Sequence, residues 1–236
     1  PDFVSVPVSG LLDRDYVAAR SALISVEKAL GRYEAGSPPG AGPRTSGISG
    51  EAAGTTHFVA VDRKGNVASM TSTVEGPFGS QLVANGYFLN NELTDFTWVP
   101  ERNGAPVANR VEPGKRPLSS MSPTIVFDSS GAPVFAVGAA GGKRIIMQVA
   151  KTLIARLDWG LSAHEALAAP NIYFTGNALL VEADTPLAAM QVALAAKGQT
   201  VVASDLMPSK ANASERTPQG WRGAADPRSD GNALEE

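Results

Sequence analysis

The run from Glu34 to Gly54, EAGSPPGAGPRTSGISGEAAG, constrains this chain more than any other feature. It is dominated by Gly, Pro, Ser and Ala, a composition that builds neither a packed helix nor a strand, and it predicts a flexible connection. Order then resumes without a transition. Thr56-His57-Phe58-Val59-Ala60-Val61-Asp62 reads as a strand, Arg63-Lys64-Gly65-Asn66 as a turn, and Val67 to Val74 as a second strand. A hairpin therefore starts directly behind the connection. With 236 residues the chain has room for one or two domains and a sizeable core.

The rest of the sequence alternates strands and helices. Upstream of the tract, Asp2 to Val8 reads as extended, and a helix is predicted from Leu12 to about Gly31, with acidic residues in its first turn. Downstream, Tyr87-Phe88-Leu89 reads as strand, and Thr124–Phe127 and Val134–Val137 form a hairpin around the turn Asp128–Gly131. Ile146, Val149, Leu153, Ile154 and Leu157 recur at helical spacing, which predicts a helix over 143–158 closed by Gly160. Ser162 is placed to cap a second helix over 164–168 ended by Pro170, and a third runs from Pro186 to Lys197 with Gly198 behind it. Strand Val201-Val202-Ala203 follows, and 209–236 reads as a polar stretch that ends weakly. The order predicts an α+β or layered sandwich fold without internal repeats.

Composition narrows the chemistry. Twenty Lys and Arg face 23 Asp and Glu, a net charge of −3, so the basic footprint of a nucleic-acid binder is missing. No apolar run approaches the ~20 residues of a membrane span, and no signal-peptide pattern opens the sequence. There are no cysteines and only two histidines, His57 and His164, which leaves no thiolate chemistry and no histidine-rich metal site. His164-Glu165 lacks a second histidine at zincin spacing, and no G-x-S-x-G elbow is present. Gly141-Gly142-Lys143-Arg144 only superficially resembles a phosphate loop: Val137 stands where the first glycine belongs, and Arg144 replaces the magnesium-binding hydroxyl. No metal and no cofactor is expected.

What remains is Thr55-Thr56, two threonines at the mouth of a strand behind a flexible tract. A threonine hydroxyl is a weak nucleophile, but a threonine whose own α-amino group is freed by cleavage carries its base with it, at a pKa of ~8. Such a site needs no cysteine, metal or triad. The same pair also fits ordinary β-branched strand packing.

Five ordered motifs bear on that choice: Thr55 with Thr73; Asn90-Asn91-Glu92-Leu93-Thr94-Asp95-Phe96; Pro117-Leu118-Ser119-Ser120-Met121-Ser122-Pro123; Gly141-Gly142; and the closing Gly223-Ala224-Ala225-Asp226-Pro227-Arg228. Their order and spacing resemble the small subunit of the γ-glutamyltranspeptidases, N-terminal-nucleophile hydrolases. The resemblance covers nearly all of 55–236, and 1–54 resembles the tail of the family's large subunit. It implies a four-layer αββα sandwich, incomplete without the rest of the large subunit. It implies self-cleavage between Gly54 and Thr55, with Thr55 as nucleophile and Thr73 orienting it. By the same resemblance Glu92 and Asp95 bind the α-ammonium of a γ-glutamyl donor such as glutathione, and Ser119 and Ser120 its α-carboxylate. Gly141 and Gly142 then supply oxyanion donors ahead of a helix start. Residues 98–114 lie where some bacterial members carry a lid. Read from the residues alone, Thr73 is a cross-strand partner, Glu92 and Asp95 a solvated turn, the Ser-Ser-Met-Ser-Pro run a turn, and the glycines a helix start.

One position departs from the resemblance. Glu75 stands where the family usually has Asn against the donor's charged end, and its carboxylate suits an ammonium but repels a carboxylate. That position leaves open a cephalosporin-acylase-like amidohydrolase acting on glutaryl amides, and the missing large-subunit portion with an uncut Gly54–Thr55 bond leaves open an unprocessed, inactive chain that self-associates as a scaffold or homo-oligomer. The implied partners are a γ-glutamyl donor, an amino-acid or peptide acceptor and the remaining large subunit. Periplasmic or secreted localisation is implied by resemblance alone.

Overall fold

Two turns built the same way start the main unit. In the computed structural model, which describes residues 2–31, 33–43, 45, 47, 54–205 and 207–234, β1 (Thr55–Val61) pairs antiparallel with β2 (Val67–Thr73) in the register Thr55↔Thr73, His57↔Thr71, Val61↔Val67. The Asp62 carboxylate accepts from the N–H groups of Lys64 and Asn66 at 2.8 and 2.9 Å, and Gly65 takes φ +81°. Between β3 (Thr124–Phe127) and β4 (Pro133–Ala140), Asp128 accepts from Ser130 and Ala132 in the same manner, and Gly131 takes φ +82°. Both are aspartate-anchored turns closed by a left-handed glycine, and both match the sequence expectation.

A four-stranded antiparallel sheet is the centre of this unit, which comprises Gly50–Asp95, Ser119–Tyr173 and Asp205–Glu236. Its order is β6 (Gly220–Ala225), β5 (Lys210–Thr217), β4, β3. Six consecutive residues of β4 are buried, as a strand covered on both faces must be. Side chains alternate across it. Phe135, Val137 and Ala139 join Ile145 and Val149 of α1 (Arg144–Leu157) and Leu167 of α2 (Ala163–Ala168) in the core, whereas Gly138 faces the β1–β2 hairpin. The unit thus stacks helices, sheet and hairpin. Ser162 caps α2 through a full capping box, as its position predicts, and Gly160 beyond α1 takes φ +70°.

The polar stretch 209–236, to which the sequence assigned no element, supplies β5 and β6, and β5 lies inside the sheet. Its apolar signal is faint because the inward residues Ala211 and Ala213 are small enough to lie beneath the helices, and polar Ser214 and Glu215 are buried with them. Glu215 is held by the N–H of Ala163 at 3.0 Å, on the N-terminal end of α2, and by Arg156 at 3.1 Å. A burial pattern of that kind has no hydrophobic periodicity to read. A second signal was missed: Asn85-Gly86, at φ +50° and +82°, turns a hairpin between Val83–Ala84 and Tyr87–Phe88.

The second unit comprises Pro1–Ser49, Phe96–Leu118 and Phe174–Ser204. Its first helix is shorter than predicted, Arg14–Ser21, capped by Asp13, whose carboxylate accepts from Tyr16 at 2.8 Å. Beyond it the Ser25 hydroxyl accepts from the amides of Glu27 and Lys28, and Ala29 donates to the carbonyl of Lys197 at 2.7 Å. The local Ser25 bonds and the remote Ala29–Lys197 bond replace a helical continuation. The helix predicted from Pro186 to Lys197 is likewise divided, into Pro186–Ala189 and Gln191–Ala196, before Gly198 at φ +90°. Leu179–Glu182 and Val201–Ser204 pair in parallel. Residues 98–114 hold a small hairpin, Glu101–Arg102 against Ala105–Pro106, turned by Asn103-Gly104. The connection predicted over 34–54 lies partly outside the described residues. Among the described residues no helix is long and apolar enough to cross a membrane.

Candidate active site

Thr55 opens β1, and the hairpin register sets Thr73 directly opposite. The Thr55 hydroxyl donates to the Thr73 hydroxyl at 2.9 Å, and Thr73 Oγ1 also accepts from the N–H of Glu75 at 2.9 Å. A hydroxyl that accepts twice keeps its own proton for donation elsewhere, and the bond sets the Thr55 hydroxyl against Thr73. Glu75 is buried and sits in the left-handed region at φ +72°. A non-glycine residue there is uncommon and marks a locally determined backbone.

The segment carrying Glu92 and Asp95 is tied to the same end of the hairpin through Asn91. Its side-chain oxygen accepts from Gly76 N–H at 2.8 Å, and its own N–H donates to the Val74 carbonyl at 3.2 Å. Glu92–Asp95 then form a single 3₁₀ turn. Burial pushes the Glu92 carboxyl upward, and the neighbouring Asp95 charge adds to the rise. The turn thus carries two carboxylates close enough for one charge to act on the other. Asn91, which the sequence offers only within the 90–96 motif, joins the two segments.

Ser119 and Ser120 lie in the approach to β3. Ser119 Oγ accepts from Met121 N–H at 3.1 Å, and the Ser120 carbonyl accepts from the Ser122 hydroxyl at 2.9 Å. No hydrogen bond among the described residues joins either serine to Thr55, so their common location rests on β3 packing beside β2. Gly141 and Gly142 end β4 at φ +130° and +60°, and their carbonyls accept from Arg144 and Ile145 as α1 begins. Their N–H groups meet no acceptor among the described residues, at the positive end of a 14-residue helix. A residue missed by sequence reasoning supports them. Gln148, buried on α1, donates to the Ala140 carbonyl at 3.0 Å and accepts from Ser209 and Lys210 at 2.7 and 3.0 Å. A polar side chain at a core position of the helical repeat was the available signal.

His57 lies two residues beyond Thr55 on the same face of β1. Its Nδ1 is 2.8 Å from the Thr71 hydroxyl, its carbonyl accepts from Asn212 at 2.8 Å, and its buried Nε2 has no partner among the described residues. The ring rests against Gly138: a Cβ there would lie 2.2 Å from Cε1. Burial lowers the imidazole pKa from 6.5 to about 4, so the folded chain holds it neutral. The unfolded chain binds this proton near 6.5 and the folded chain only near 4, so the stability it contributes is complete above 6.5 and is lost as pH falls toward 4. Urea midpoints of the parent are expected to drop faster than those of His57→Gln across that window. Parallel curves would remove His57 as a cause of acid lability.

A threonine at the head of a hairpin, laid on an antiparallel sheet backed by helices, defines the class of N-terminal-nucleophile hydrolases. The comparisons carry this to the family. The family described as Gamma-glutamyltranspeptidase matches residues 1–235. A glutathione hydrolase proenzyme of Bacillus subtilis subsp. natto is 40% identical over 188 residues, 74% of this chain and 30% of the relative. The acylase ACY 1 proenzyme of Pseudomonas sp. strain SE83 is 36% identical over 238 residues, 99% of this chain and 39% of that one. The solved γ-glutamyltranspeptidase of Pseudomonas nitroreducens aligns with TM-score 0.67 at 33% identity, over 77% of this chain and 99% of that one. The chain belongs to the γ-glutamyltranspeptidase family. It spans 30% to 39% of the length of the two curated relatives named. Among the described residues no group of three His, Cys, Asp or Glu side chains could hold a metal ion.

Proposed function

We propose that residues 55–236 are the catalytic part of a γ-glutamyl transferase and hydrolase that matures by cleavage between Gly54 and Thr55, with 1–54 the tail of its large chain. The observation that carries this reading is the 2.9 Å bond between the Thr55 and Thr73 hydroxyls at the first residue of the hairpin. Once freed, the Thr55 amine takes the hydroxyl proton as Oγ adds to the γ-glutamyl carbonyl of a donor such as glutathione. Negative charge on the carbonyl oxygen falls to the N–H groups of Gly141 and Gly142. The amine returns the proton to the leaving nitrogen, and water or an amino-acid or peptide acceptor then takes the acyl group from the threonine ester. Glu92, Asp95 and Glu75 receive the donor ammonium, and Ser119 and Ser120 its carboxylate. The remainder of the large chain completes the sandwich.

A second reading has its own support, since the acylase relative aligns over 99% of the chain and Glu75 is a buried carboxylate beside the threonine pair. Rates of the full-length mature enzyme on γ-glutamyl-p-nitroanilide and glutaryl-p-nitroanilide separate the two. The donors differ by one ammonium, and a charged hydrogen bond contributes about 1.5–3 kcal/mol, so kcat/KM favours the γ-glutamyl donor by roughly 10- to 100-fold. Asp95→Asn brings that ratio toward one. Faster turnover of the glutaryl amide would transfer the assignment to the acylase reading. Adding Glu75→Asn to the comparison tests whether that carboxylate sets the preference.

A further inference from the structure

The residue before the threonine is held as tightly as the threonine itself. One step beyond the Thr55↔Thr73 pair, the Gly54 carbonyl oxygen accepts from the N–H of Val74 at 3.5 Å, so the peptide bond between Gly54 and Thr55 extends the β1–β2 ladder. A Cβ on residue 54 would lie 2.5 Å from the carbonyl oxygens of both Glu75 and Gly76, closer than such atoms approach. These carbonyls are backbone, and their turn is anchored. Glu75 N–H is on Thr73 Oγ1, Gly76 N–H on Asn91 Oδ1, and the Val74 carbonyl on Asn91 N–H. The left-handed Glu75, at φ +72°, gives the turn its shape.

We infer that the Val74–Gly76 turn is the template for self-cleavage: Val74 N–H is the oxyanion donor for the Gly54 carbonyl, and the Glu75 and Gly76 carbonyls make glycine obligatory at position 54. The inference rests on the reading that Thr55 cuts its own peptide bond. In that step Thr55 Oγ adds to the Gly54 carbonyl carbon, and negative charge develops on the oxygen that faces Val74. The 3.5 Å bond is weak in the resting chain and tightens as its acceptor becomes charged, the property of a group that acts on a transition state. The carbon–nitrogen bond breaks, and the hydroxyl proton goes to the Thr55 nitrogen as it leaves. Water then hydrolyses the Gly54–Thr55 ester, which leaves a carboxylate on Gly54 and a free amine and hydroxyl on Thr55. A side chain on residue 54 pushes its carbonyl away from Val74 and Thr55 together. Because residue 54 departs with the large chain, the requirement belongs to maturation and not to turnover.

The test is a time course of cleavage in the full-length precursor, followed by intact mass and N-terminal sequencing, for the parent and Gly54→Ala. A misplacement of about 1 Å costs on the order of 100-fold, and the variant is expected to mature that much more slowly, still cutting before Thr55. A pre-cut form, with the large chain ending at residue 54 co-expressed with the chain beginning at Thr55, isolates folding. There Gly54→Ala is expected to leave kcat/KM for γ-glutamyl-p-nitroanilide unchanged. Equal maturation rates of Gly54→Ala and the parent overturn the inference, as does equal impairment of the variant in the pre-cut and precursor forms. A parent precursor that is never cut before Thr55 refutes the parent reading instead.

Discussion

Thr55→Ala in the full-length precursor is expected to leave one uncut chain and to lower turnover of γ-glutamyl-p-nitroanilide by on the order of 10⁴- to 10⁶-fold. The magnitude follows from the chemistry assigned to this residue, since its oxygen forms the covalent ester and its nitrogen carries the proton. Removing the hydroxyl deletes the bond-forming atom, and failure to cleave withholds the base as well. Thr55→Ser keeps both atoms and is expected to mature and turn over, more slowly because the serine side chain loses the β-branching that restricts χ1. Thr73→Ala keeps nucleophile and base but removes the acceptor 2.9 Å from Oγ1. A lost orienting bond is expected to cost about 10- to 100-fold, chiefly in kcat. Gels and rates for the three variants give a graded series. A Thr55→Ala precursor cut as fast as the parent would place the nucleophile elsewhere.

The second large effect lies far from the reacting atoms. Arg228 donates to the carbonyls of Leu167, Ala168 and Ala169 at 3.1, 2.9 and 3.1 Å, where α2 ends, and pairs with Asp226 at 3.1 Å. Lys151 Nζ meets the same end of α2, at 3.1 Å from Leu167 O and 2.7 Å from Ala169 O. Two cations on the final carbonyls complement the negative end of the helix. Asp226 is only 1% exposed, so removing the Arg228 side chain leaves a buried carboxylate with the backbone N–H of residue 228 but without its charge partner, and the Ala168 carbonyl without its donor. Arg228→Met is therefore expected to destabilise the protein by about 3–5 kcal/mol, read from urea melts of the mature enzyme. Adding Asp226→Asn should recover part of the loss, because the stranded charge is then gone. A loss below about 1 kcal/mol would show that water reaches Asp226 and that the pair behaves as an exposed one.

The local part of this structure was legible because its signals are local. Asp62 and Asp128 with their following glycines specify turns through bonds spanning two to four residues, and Ser162 with Glu165 specifies a helix start in the same way. The threonine at the head of β1 and its cross-strand partner follow from the register that the Asp62 turn fixes. Carboxylate, serine and glycine candidates could be named from motif order alone. Their common location could not.

The tertiary structure decided the rest, because the interactions concerned are between residues distant in sequence. Nothing within 210–217 announces a central strand. Its polar groups are held from remote parts of the chain: the Lys210 N–H by Gln148, 62 residues earlier, and the buried Glu215 carboxylate by the N–H of Ala163, 52 residues earlier. The predicted helices beyond Ser21 and across Met190 looked continuous by spacing. Serine-backbone bonds at Ser25 and the pairing of Ala29 with Lys197 outweighed a helical preference that is small per residue. The sequence alone determined the turns, the caps and the threonine at the strand's mouth. Only tertiary packing placed His57 on Gly138, Asn91 against the Val74–Gly76 turn and Gly54 between two carbonyls, because close approach between remote segments leaves no periodicity in the chain that makes it.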